Sequence, residues 1–236
     1  MSTPRSATAL VPVTGPVQLD SRSAPSSVRS AQKRWQPPEG LSPTEVQAVI
    51  DATTSERDRL LLRVLWATGA RISEVLALRP LDVQRDHLVL ANRKNPSQPI
   101  KRVFLPAGQA DLPGALLIWA NEHGLAARAP LFFSRKRGAD GGLQAVSRVQ
   151  AWTIVKAASE RAGVRVLALR ASQHGAVGEP APIHPHLFRH ARVRQIVRMT
   201  RSLPLAQRQA GWSRLQTVYL TVGDDEARQL MQEVPE

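Results

Sequence analysis

The chain has 236 residues, 42% of them hydrophobic, which is enough for one sizeable domain with its own core. Its formal net charge is +13, and only five of its 32 basic residues are lysine; planar guanidinium forks match phosphate oxygens, so the surplus points to nucleic acid. With no cysteine, disulfides, thiolate metal sites and cysteine nucleophiles are excluded, and no apolar run approaches the roughly 20 residues of a membrane span.

Residues 1–38 carry Ser, Pro and Arg without periodicity and read as a flexible basic tail, with the ordered domain expected over 39–236. In that tail Lys33-Arg34-Trp35 can touch a DNA backbone or simply be solvated. Order is expected to begin at Leu41-Ser42-Pro43-Thr44-Glu45, with Ser42 as N-cap, Pro43 at the first helical position and Glu45 three residues after the cap. That helix runs to about Ala52. A second, over Glu56–Ala67, turns Leu60, Leu61, Val64, Leu65 and Trp66 to a core and is stopped by Thr68-Gly69. The next starts near Arg71 and ends before Pro80, which leaves Arg71 at a tight turn on the rim of a buried layer.

His87–Ala91 and Ile100–Pro106 read as two short strands joined by the polar turn Asn92–Pro99. Lys94 and Lys101 then lie on a hairpin able to follow a DNA backbone, with Arg93 beside them. Helices are expected over Leu112–Glu122 and Leu143–Ala162. Between them Ser134-Arg135-Lys136-Arg137-Gly138 is a basic loop, either contacting phosphate or solvated. Val164–Gly178 reads as an extended loop, followed by helices over Pro185–Thr200, Leu205–Ala210 and from about Leu215. The fold class expected is mostly α with a small antiparallel β-sheet.

The stretch His184-Pro185-His186-Leu187-Phe188-Arg189-His190 carries the chemistry. Pro185 suits the first position of a helix, so His186 and Arg189 stand one turn apart near a helix N-terminus, where free N–H groups favour an anion such as a phosphate. Tyr219, the only tyrosine, follows about thirty residues later. Cleaving a phosphodiester with a side-chain oxygen needs cations for the non-bridging oxygens, a phenol that loses its proton, and an acid for the departing 5′ oxygen. Arg71, Lys94, His186, Arg189, Trp212 and Tyr219 are the candidates. Arg189→Ala is expected to cost activity far more than stability, since a charge at a phosphate site is not core packing.

From about Leu41 to Met231 the chain resembles the catalytic domain of the tyrosine recombinases, or phage-type integrases. Ala67-Thr68-Gly69-Ala70-Arg71-Ile72-Ser73-Glu74 is similar to the family's first arginine motif, His186-Leu187-Phe188-Arg189-His190 to its second box, and Ala210-Gly211-Trp212 to its Gly-His/Trp step. The resemblance implies that Arg71 and Arg189 clamp the scissile phosphate, His186 assists proton transfer, Trp212 buttresses the phosphate and Tyr219 attacks. Lys94 would be the hairpin general acid, with Lys101 as its rival. Glu74 would support the arginine site or be an exposed helix carboxylate, and His190 would be a buried histidine orienting its neighbours. Arg93, Lys101, Arg135, Lys136 and Arg137 would contact DNA.

The same resemblance implies strand exchange on double-stranded DNA through a 3′-phosphotyrosine, with no metal or other cofactor. A tetramer in the synaptic complex, accessory DNA-binding proteins and a cytoplasmic, nucleoid-associated location go with it. Thr221–Glu236 is a candidate docking helix. Two departures favour an alternative, a catalytically impaired DNA-binding regulator on the same fold. The family's extra amino-terminal helical domain is replaced by the tail, and Trp212 to Tyr219 is two residues shorter than usual, which turns a helical position by about 200°. Metal-dependent hydrolysis through His184, His186 and His190 is a weaker reading, because helical ligand pairs sit at i, i+4 with further ligands elsewhere.

Overall fold

The computed structural model describes residues 41–92, 97–139, 141–167 and 180–211. Helix α1, Pro43–Asp51, begins at the expected cap: the Glu45 backbone N–H donates to Ser42 Oγ at 3.2 Å, and the Ser42 N–H donates back to the Glu45 carboxylate at 2.7 Å. Helix α2, Glu56–Thr68, is the centre of the domain, with Leu61, Leu62, Val64 and Leu65 fully buried. It packs against α1 and the later helices α4, Leu112–Glu122, and α6, Pro185–Thr200. A chain reversal ends α2 at Gly69, in the left-handed region at φ 59°. A Cβ there would lie 3.1 Å from Arg192 Cγ on α6, so glycine allows both the turn and the close approach of two helices.

The helix expected from Arg71 to Pro80 is short: α3 covers Ile72–Val75, with Arg71 as its N-cap residue. A 3-10 turn at Pro80–Asp82 follows. Strands β1, His87–Ala91, and β2, Ile100–Phe104, form the expected antiparallel hairpin with Leu90 opposite Lys101. Helix α4 then fixes its Trp119 by an indole N–H bond to Leu131 O at 3.0 Å.

Two expectations fail between residues 133 and 162. The basic segment is strand β3, Phe133–Arg137, paired antiparallel with β4, Leu143–Ala145, which was expected to begin a helix. Helix α5 starts instead at Arg148 and runs to Arg161, capped by Ser147, whose Oγ accepts from Gln150 N at 3.1 Å while its own N–H donates to Gln150 Oε1 at 2.8 Å. That reciprocal cap satisfies two amide donors at the true helix start and leaves the preceding residues to the strand. In the extended stretch after Val164, Val166–Leu167 (β5) pairs with Pro180–Ala181 (β6), and residues 168–179 lie outside the described residues.

Helix α6 starts at Pro185 as expected. It ends at Arg201, the one non-glycine residue with positive φ among those described. Helix α7, Leu203–Ala210, begins two residues earlier than expected because Ser202 caps it, with Leu205 N donating to Ser202 Oγ at 3.3 Å. It packs on α6 and β2, and Gly211 ends it at φ 68°. The described fold is mostly helical with three two-stranded antiparallel sheets. No described helix is long and apolar enough to cross a membrane. The amino-terminal segment and the helix expected from Leu215 lie outside the described residues.

Candidate phosphate-binding site

Arg71, Glu74, Lys101 and Arg189 come from three separate parts of the chain and meet in one hydrogen-bonded network. Glu74 is its anion. At the third position of α3 its carboxylate reaches back to the Arg71 backbone N–H at 3.0 Å and accepts from Arg71 Nη1 at 2.8 Å. Lys101 Nζ lies 2.8 Å from its other oxygen. The Glu74 side chain has no solvent exposure, so it is not the exposed helix carboxylate that the sequence also allowed, and it is bonded to Arg71. Burial alone would raise its carboxyl, but the Lys101 ammonium and the bonds from Lys101 and Arg71 outweigh it and hold it below the ordinary carboxylate value.

Arg189, on the first turns of α6, is almost completely buried. Its Nη1 donates to Gly69 O at 2.8 Å and its Nη2 to Ala210 O at 3.0 Å. Two guanidinium hydrogens thus tie α6 to the turn before Arg71 and to the end of α7, and the plane of the group is fixed by main chain. This corrects the expectation that Arg189 stands apart from core packing: it is among the largest fully buried side chains. Arg71 differs, keeping about a fifth of its side chain open to solvent.

Lys101 was expected on a DNA-facing surface of the hairpin. It is instead buried, because β2 turns Lys101 and Val103 inward while Ile100, Arg102 and Phe104 face out. Its ammonium bonds Glu74 and also donates to Ala210 O at 3.2 Å. Burial pushes it down, Glu74 pulls it back, Arg189 and Arg71 oppose, and the outcome is a pKa of about 8.

His186 is exposed on the first turn of α6, and His190 is half-buried behind it, the rings meeting edge-on at 4.4 Å. Burial first, then the electrostatic influence of the neighbouring His186, His184, Arg189 and Arg194, pushes His190 down to about 3, so it is a neutral ring at physiological pH. Among the described residues no three His, Asp or Glu converge to hold a metal ion. Arg135, Lys136 and Arg137 are exposed along β3, away from this network in sequence and on a strand rather than a loop. Arg93, Lys94, Trp212 and Tyr219 lie outside the described residues.

Sequence reasoning missed three contributors. The main-chain carbonyls of Gly69 and Ala210 leave no mark in side-chain identity. Asn92, the residue after β1, is buried, and among the described residues neither atom of its amide has a hydrogen-bond partner. It packs on Gly211, where an added Cβ would lie 2.8 Å from Lys101 Cδ and 3.2 Å from Asn92 Nδ2. Gly211→Ala therefore meets both a left-handed backbone and occupied space. It is expected to cost about 2 kcal/mol in urea unfolding; a change within error would mean that the hairpin and Gly211 do not touch.

The network places three basic groups around one carboxylate, a net positive site suited to a phosphodiester. Tyrosine recombinase XerD of Bifidobacterium longum (strain NCC 2705) is 28% identical over 176 residues, covering 65% of this chain and 48% of that protein. Tyrosine recombinase XerC of Xanthomonas axonopodis pv. citri (strain 306) is 29% identical over 177 residues, covering 74% and 49%. The chain thus spans about half the length of the curated relatives it matches. The crystal structure of XerA recombinase shares the fold at a TM-score of 0.63 and 18% identity, over 86% of this chain and 65% of that one. XerH site-specific recombinase bound to difH substrate does so at 0.58 and 21%, over 83% and 54%. Residues 39–222 match the Phage integrase family along most of the described fold, Arg71 and Arg189 included, and the chain belongs to that family.

Proposed function

We propose that this protein is a site-specific DNA recombinase that cleaves and rejoins strands through a 3′-phosphotyrosine formed by Tyr219. The observation that carries the reading is the network itself, in which Glu74 and the Ala210 carbonyl gather Arg71, Lys101 and Arg189 from separate parts of the chain. A tetrahedral phosphate bound there has its non-bridging oxygens neutralised by guanidinium groups as charge builds on them. The Tyr219 oxygen attacks phosphorus, its proton passes to His186, the bond to the 5′ oxygen breaks, and that oxygen takes a proton from Lys94. Trp212 packs beside the phosphate. Lys101 is the second candidate acid, because a buried ammonium with a pKa of about 8 gives up its proton more readily than an exposed one.

The substrate is double-stranded DNA, to which Arg93, Arg135, Lys136 and Arg137 add backbone contacts. Exchange between two duplexes needs four active sites, so the working assembly is a homotetramer, joined by accessory DNA-binding proteins where site geometry demands them. Such a substrate places the protein on the nucleoid, in the cytoplasm. The conserved bond energy of phosphotyrosine allows rejoining without ATP.

The test uses DNA recovered from sites the protein occupies in cells, rebuilt as duplexes nicked near the cleavage point. Wild type is expected to accumulate a covalent adduct that survives detergent, and Tyr219→Phe to bind the same duplex with none. Equal binding with no adduct from either protein would replace this reading with that of a DNA-binding regulator, the outcome the shortened Trp212–Tyr219 step would then explain.

A further inference from the structure

The geometry points to Lys101 as a positioning residue that couples the two arginines of the phosphate site, holding the carboxylate that orients Arg71 with one N–H and the carbonyl that orients Arg189 with another. This rests on the proposed role of the two arginines in binding phosphate. The two contacts are 2.8 Å to Glu74 and 3.2 Å to Ala210 O. Each acceptor is shared: Glu74 also takes a bond from Arg71 Nη1, and Ala210 O one from Arg189 Nη2. One ammonium thus bridges two otherwise separate guanidinium supports, and it stands on β2, opposite Leu90 near the free end of the hairpin.

The surroundings keep the bridge in one place. Gly211 lies against the Lys101 stem so closely that a Cβ there would meet Cδ at 2.8 Å, and Asn92 packs on the same glycine from the end of β1. Both strands of the hairpin therefore grip the step that follows α7. The charged groups around Lys101 are Glu74 and Arg71 from α3 and its cap, and Arg189 from α6. Of these only Lys101 changes charge near pH 8, since Glu74 is held low and arginine stays protonated.

The experiment follows the guanidinium 13Cζ resonances of Arg71 and Arg189 in the full chain from pH 6.5 to 9.5. Both are expected to move with one shared midpoint near 8, and Lys101→Met is expected to shift both and remove the step. A folded Lys101→Met protein is also expected to form adduct at least tenfold more slowly while binding DNA within twofold of wild type. If either arginine ignores the titration in wild type, the coupling is overturned, and that measurement needs no variant to fold. Absence of any adduct from wild type would sink the recombinase reading and leave the titration to decide the coupling. Normal adduct formation with silent arginines would sink the coupling alone.

Discussion

Arg189→Ala is expected to unfold at a temperature about 10 °C below wild type, as well as losing adduct formation. The side chain is 1% exposed and its two N–H bonds run to main-chain carbonyls on different elements. Truncation leaves Gly69 O buried without its guanidinium donor, takes from Ala210 O one of its two side-chain donors among the described residues, and opens a cavity the size of a guanidinium with its stem. An orphaned buried acceptor costs about 1–3 kcal/mol and the cavity adds to it, so a loss of about 3 kcal/mol is expected. For a domain of this size each kcal/mol moves the midpoint by about 2–4 °C. Arg189→Lys separates the two roles. It keeps the charge and a single reach of donors but loses the fork, so it is expected to fold with about half the loss while forming adduct about a hundredfold more slowly. Differential scanning calorimetry beside the adduct assay checks both. An Arg189→Ala protein as stable as wild type would show that the two carbonyl bonds contribute nothing to the fold.

The parts of the fold written in local chemistry could be read in advance. Ser42-Pro43-Thr44-Glu45 names a helix start because cap, proline and reciprocal carboxylate all act within four residues. Thr68-Gly69 names a stop for the same reason. Ser147 and Gln150 form an equally local cap, yet the apolar Leu143 and Val146 before it extended the apparent helical run and hid it. Strand β3 was harder to see. Only Ser134 is buried among its residues, and the pairing that makes it a strand depends on Leu143–Ala145 across a turn. Such pairing is a tertiary event that a run of exposed Arg and Lys does not announce.

The site divides along the same line. Arg71, Glu74, His186 and Arg189 come from the two motifs that carry the family resemblance, and the structure brings Arg71, Glu74 and Arg189 into one network. The burial of Lys101 was recoverable in part. In Ile100-Lys101-Arg102-Val103-Phe104 a period of two puts Lys101 on the face of Val103, but Ile100 and Phe104 argue equally well for the other face. The choice is made by Glu74, a carboxylate 27 positions earlier that would be buried beside Arg71 alone without it. No local pattern carries that information.

Glu74→Gln is the second substitution with a large expected effect. The carboxylate accepts from Arg71 at both its backbone and its guanidinium and sits against the Lys101 ammonium. A neutral amide offers one acceptor oxygen where two are used, and its NH2 faces a donor whichever way it turns. The remaining groups are all cationic, and removing one member of a buried pair costs about 3–5 kcal/mol. Lys101 sheds its proton in response, its pKa falling below the wild-type value of about 8. The pH dependence has a definite sign. In wild type the Glu74 pKa is depressed, so its contribution is present above the ordinary value of 4.5 and is lost as pH falls through the folded value. The Lys101 pKa is depressed from 10.5 to about 8, so its buried proton weighs against the folded state below 8, and that burden lifts between 8 and 10.5. Once the folded state has lost that proton, above about 8, Glu74 and Lys101 no longer attract as ions. The deficit of Glu74→Gln should therefore be largest near pH 7 and shrink by pH 10, leaving the share that belongs to Arg71. Urea midpoints for both proteins at the two pH values give the answer, and an equal deficit at both would mean that Lys101 and Glu74 are not an ion pair in solution.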